Sequence, residues 1–165
     1  MSSSNTQTVR GSAWTLNRGV LRAAVAQAAV DEFAGKALVM GRCDCARLVT
    51  FVLERFGVDT GLGRFGDYRS ETGAYRALRR TGFGSMEEAI ESLGLERIAP
   101  ARRLPGDLLS LPGSGAVAAM HVALSNGVTL GWGEGASGCT TWRPVLDAGA
   151  DIRCWRALPG PERAA

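Results

Sequence analysis

The 165-residue sequence predicts an α+β domain in which N-terminal helices pack on a small antiparallel sheet. Three observations lead there. The first half carries apolar residues at helical spacing, bounded by capping residues. After Pro105 the pattern changes to short apolar or alternating runs, separated by Pro-Gly, Ser-Asn-Gly and Gly-rich turns. Helices precede strands instead of alternating with them, which argues against a doubly wound parallel sheet.

Residues 1–12 are polar and rich in Ser and Thr, and are expected to form a flexible arm. From Leu16 to Phe33 an Ala-rich helix is predicted, with Leu21, Val25, Ala28 and Ala29 apolar and Gly35 as its stop. After a short extended ALVMG comes the clearest helix, DCARLVTFVLERFG. Its Cys45, Leu48, Val49, Val52, Leu53 and Phe56 share one face, Asp44 sits at the N-cap and Gly57 at C′. The Gly- and aromatic-rich loop GLGRFGDY leads to a third helix over Glu71–Arg80, and Ser85 with Glu88 caps a fourth that ends near Leu93. LLSL, AVAAMHVAL, VTLGW and IRCWRAL read as strands. The organisation expected is an arm over 1–12, a single domain over 13–158 and a tail over 159–165.

Composition narrows the function classes. With 45% hydrophobic and 21% charged residues the chain can bury a core without a metal or disulfide staple. The net charge is +3, and the 19 basic residues, all Arg but Lys36, are scattered rather than gathered on one stripe, so nucleic acid is not an expected partner. No apolar run reaches membrane-spanning length, and MSSSNTQTVR lacks the apolar centre of a signal peptide, so synthesis in the cytoplasm is expected. Cys43 and Cys45 flank a single residue, a spacing that strains a mutual bridge and fits poorly with paired zinc ligands. Neither metal nor other cofactor is expected. A lesser reading uses Cys43, Cys45, Cys139 and Cys154 together as ligands for zinc or an iron–sulfur cluster.

His121 is the one histidine. On its predicted strand Val117, Ala119, His121 and Ala123 share a face, and Met120, Val122 and Leu124 share the other. The small neighbours leave room for an approaching element, and the helix opening at Cys45 is the natural candidate. A thiol in a helix's first turn feels the positive end of the helix dipole, which favours the thiolate. With a histidine in reach it is a minimal activated nucleophile. The bland alternatives are a packed thiol and a buried histidine satisfied by the backbone.

These residues carry a resemblance. Asp44-Cys45 opening a helix after Gly41, the Pro105-Gly106-Asp107 strand start, and His121-Val122 followed by the Asn126-Gly127 turn are similar to the NlpC/p-sixty superfamily of papain-like cysteine peptidases. That superfamily cuts peptide stems of the bacterial cell wall. The stretch GRCDCARLVTFVLERFG…GDYRSETGAYRALRRTG resembles a compact branch found in tailed phages and gene transfer agents, and the resemblance covers residues 38–158. It implies a papain-like, NlpC-type fold with helices packed on a small antiparallel sheet or half-barrel. It also implies Cys45 as nucleophile, His121 as base, the Cys45 N–H at the oxyanion and Asp44 as helix cap.

Three departures stand out. The third polar residue that should orient the imidazole falls on or near Gly131, with Glu134 as a substitute just beyond, the usual Gly-Gly and preceding Tyr are reduced to Met40-Gly41, and Ala46-Arg47 replaces the usual Ser-Gly after the cysteine. Arg47 and Trp132 are the candidates for substrate contact. The expected function is a peptidase or amidase acting on peptidoglycan stems, assembled with tail-tip or hub proteins of a phage-like particle and acting in the host envelope. The alternative is an inactive papain-like scaffold or adaptor at the tail tip.

Overall fold

A computed structural model describes residues 6–61, 65–112, 118–146 and 150–160, with side chains from Asn17 onward. Within these residues the order is α1 (Thr6–Phe33), α2 (Cys45–Arg55), α3 (Glu71–Arg80), α4 (Met86–Ser92), β1 (Arg97–Ile98), β2 (Leu108–Leu111), β3 (Ala119–Ala123), β4 (Thr129–Gly131), β5 (Thr140–Trp142) and β6 (Arg153–Trp155). The strands form one open antiparallel sheet in the order β1-β6-β2-β3-β4-β5, so the fold class is α+β.

Local chemistry explains the helices. The Asp44 carboxylate accepts the Arg47 N–H at 3.0 Å and caps α2, Ser70 does the same for α3, and Ser85 for α4. α1 begins earlier than expected. It starts at Thr6, not Leu16, so most of the anticipated arm is helical; no Pro interrupts residues 6–16, and their polarity opposes burial rather than helix formation. Two strands carry no sequence signal of their own: β1 is two residues long, and Thr140–Trp142 is exposed at the sheet edge. Both exist by pairing with stronger neighbours. Val117 lies outside the described residues.

One sheet face and the helices enclose the larger core: Val25, Ala29 and Phe33 of α1, Leu48, Val49, Val52 and Leu53 of α2, and Met120, Val122, Leu130 and Trp155 of the sheet. Ile98, Leu109, Leu111, Ala123 and Cys154 form a second cluster on the other face. The strand with His121 thus turns its large side, not its small one, toward α2. Two bulky residues fill the space beneath a helix that glycine and alanine would leave empty.

Asp107 ties the layers together. Fully buried, it binds Arg22 of α1 at 2.9 Å and Arg156 after β6 at 2.6 Å, and accepts the N–H groups of Leu104 and Ala157. Four donors on two carboxylate oxygens satisfy a charge that burial would otherwise penalise heavily.

Candidate active site

The start of α2 is held by a second use of Asp44. While one carboxylate oxygen caps the helix, the other accepts the Gly41 N–H at 2.6 Å and the Tyr68 hydroxyl at 2.8 Å. The loop before α3 is thereby pinned across the turn before α2. Gly41 has φ +80°, and a Cβ there would collide with the Tyr68 carbonyl, so the turn needs glycine for both reasons.

Cys45 follows directly. Its sulfur meets the backbone N–H of Met120 on β3, and the N–H groups of Cys45 and Ala46 also act on it. All three favour the thiolate, as a helix N-terminus should. Burial and the neighbouring Asp44 charge outweigh them and push the thiol up to about 11. The expected low-pKa thiolate is therefore corrected: the resting thiol is protonated. Burial also raises the other thiols, Cys139 and Cys154 to about 12.

His121 is one residue beyond Met120. Its side chain lies on the sheet face of Leu109, its pairing partner, and Ala123. The ring rests on Gly131 of β4, where a Cβ would collide with Nδ1. Trp142 of β5 closes the other side: its indole Nε1–H donates to His121 Nδ1 at 3.2 Å, with ring centroids 5.1 Å apart and an interplanar angle of 72°. Burial lowers the imidazole from 6.5 to about 4, so it is neutral at rest. The thiol meets β3 from the α2 side of the sheet, at the Met120 N–H, whereas the imidazole lies on the opposite face with Leu109 and Ala123. The expectation that the helix opening at Cys45 approaches His121 across its small-residue face is therefore corrected, and among the described residues no hydrogen bond joins the two groups.

A cavity of about 280 Å³ opens beside Cys45 and runs between α2, α3 and α4. Its lining is mostly apolar, with Met40, Val49, Leu53, Leu78, Phe65 and Ile90 among the walls and Tyr68 near the thiol.

The remaining candidates divide. Asp44 caps the helix as anticipated. Arg47 is half-buried in the first turn of α2, its charge lowering the pKa of Tyr68 while burial and Asp44 raise it. Glu134 is exposed in the turn after β4, and it is Trp142 that bonds to the imidazole. Trp132 is occupied structurally: its indole N–H donates to the Lys36 carbonyl at 3.0 Å and its ring packs edge-on against Phe33. Cys139 and Cys154 belong to clusters on opposite sheet faces, so the four cysteines do not converge. Among the described residues no three His, Cys, Asp or Glu side chains group to hold a metal. None of the described helices is long and apolar enough to cross a membrane.

Sequence reasoning passed over Tyr68 and Trp142 as site residues. Tyr68 stood in the noticed GDY segment. Trp142, an isolated aromatic in a polar stretch, gave no signal.

Fold and site together define an α+β protein with a thiol at a helix start, set against the strand that bears its only imidazole. Residues 21–157 match the family model described as a domain of unknown function, DUF6950, and the chain belongs to that family. No curated protein and no solved structure matches it.

Proposed function

We propose that the protein is a papain-like cysteine peptidase or amidase acting on the peptide stems of peptidoglycan, as a component of a phage-like tail tip. The observation that carries this reading is the seat of Cys45, at the capped start of α2 with its sulfur at the N–H of the residue preceding His121. The proposed cycle requires β3 to bring the imidazole, which rests on the sheet face away from α2, into reach of the thiol; the Cys45 sulfur then attacks an amide carbonyl while its proton passes to His121. The amine leaves with that proton, giving a thioester, and water activated by His121 hydrolyses it. The Cys45 N–H is the oxyanion donor, and the cavity beside the thiol receives an apolar part of the substrate. Cell-wall stems and tail-tip partners come from the resemblance in residues 38–158.

A second reading, an inactive scaffold, is favoured by a specific observation. The imidazole lies on the sheet face away from α2, the resting pair is neutral on both sides, and the nitrogen that should take the proton is bonded to Trp142. Digestion of purified peptidoglycan separates the two. The enzyme reading expects peptide fragments from the wild type and none from Cys45→Ala. No release by the wild type, where a known endopeptidase releases fragments, would support the scaffold.

A further inference from the structure

We infer that Trp142 is the positioning residue for His121, and that its indole N–H selects Nδ1 as the one basic nitrogen of the site. An indole nitrogen only donates, so the ring nitrogen 3.2 Å from it must accept, and a neutral imidazole then carries its proton on Nε2. Turning the ring over would place a C–H group against the indole and lose the bond. The setting of both rings supports the assignment. Gly131 lets the imidazole lie flat on β4, since any side chain there would push Nδ1 away. The Trp142 backbone is fixed by its pairing with Thr129, whose hydroxyl also donates to the Trp142 carbonyl at 3.3 Å.

Trp142 thus orients the imidazole from the strand next to Gly131, where a polar third residue would stand, and it does so with the opposite polarity. An oxygen acceptor would bind a ring N–H and support the imidazolium; the indole binds the lone pair and supports the neutral ring. The catalytic consequence rests on the reading of Cys45 as nucleophile. Nδ1 is the only nitrogen free of a proton, and it is engaged, so it can take up a proton, from Cys45 or elsewhere, only when the indole lets go. Trp142 is partly exposed on an edge strand, where such a movement displaces little of the core.

The tautomer can be read directly, because the chain has one histidine. In a long-range proton–nitrogen correlation spectrum of nitrogen-labelled protein at neutral pH, the unprotonated nitrogen should be Nδ1, coupled strongly to Hε1 alone. The protonated Nε2 should couple to both Hε1 and Hδ2. Trp142→Phe keeps an aromatic ring and removes the donor; its Nδ1 signal should shift toward the value of exchanging tautomers. A wild-type spectrum with the proton on Nδ1 overturns the inference whether or not the variant folds, and so does a folded Trp142→Phe with both signals unmoved. Neither readout depends on turnover, so a protein that cleaves no peptidoglycan can still pass this test, and an active one can fail it.

Discussion

Replacing Asp107 should unfold the protein at a markedly lower temperature, because one carboxylate holds α1, the β2 start and the segment after β6. Asp107→Ala removes the acceptor for Arg22, Arg156 and the N–H groups of Leu104 and Ala157 at once. The Arg22 side chain is only 6% exposed and is left without its counter-ion. Breaking a buried pair from one side costs about 3–5 kcal/mol. For a chain of this length each kcal/mol moves the midpoint by roughly 2–4 °C, so a fall of about 6–20 °C is expected. Asp107→Asn should lose nearly as much, since its amide would set N–H donors against donors on one of the two oxygen positions. Asp151→Ala is the internal control: its pair with Arg153 is exposed and screened by solvent, and its loss should shift the midpoint little. Circular dichroism melts of the three variants decide the matter. A loss in Asp107→Ala no larger than that in Asp151→Ala would refute the view of Asp107 as the tie between layers.

Acid should weaken the fold through His121. Its folded-state pKa is held at about 4 against an ordinary 6.5, so between these values the unfolded chain binds a proton that the folded chain refuses. Stability should therefore rise with pH across that window, by up to about 3 kcal/mol in all, with no further contribution from His121 below or above it. Urea midpoints across the window should show this slope in the wild type and a flatter one in His121→Gln; equal slopes would contradict it. Gly41→Ala should cost about 1–3 kcal/mol or more, because it adds a collision with the Tyr68 carbonyl to left-handed strain. Gly82→Ala, with φ +93° and nothing near its Cβ, has the strain alone and should lose less in the same melts.

The legible parts of this fold were those written locally. Asp44, the apolar spacing from Cys45 to Phe56 and Gly57 place α2 within a residue, Ser85 places the start of α4, and the expected third helix over Glu71–Arg80 coincides with α3, whose Ser70 cap the structure supplies. β2, β3, β4 and β6 fall inside the expected runs. What sequence could not supply was relations between elements. The period of β3 separates Met120 and Val122 from His121, but it does not say which face meets α2. The dipole at Cys45 was readable, whereas the burial that overrides it depends on β3 and the loop at Tyr68. Pro105-Gly106-Asp107 was noticed as a strand start; that Asp107 collects Arg22 and Arg156 from the two ends of the chain is a tertiary fact. Trp142 is the extreme case: its strand forms only against β4, and its importance comes wholly from the imidazole it meets.

The central claim is that Cys45 is a nucleophile served by His121, and trapping the acyl-enzyme tests it without knowledge of the natural substrate. The protein would be mixed with an activated acetyl ester, quenched in acid and weighed intact by mass spectrometry, with peptide mapping to locate the adduct. The account predicts a single acetyl group on Cys45, removable by hydroxylamine, absent from Cys45→Ala and slower to form in His121→Ala. No adduct on the wild type, or acetyl spread equally to Cys43, would contradict it.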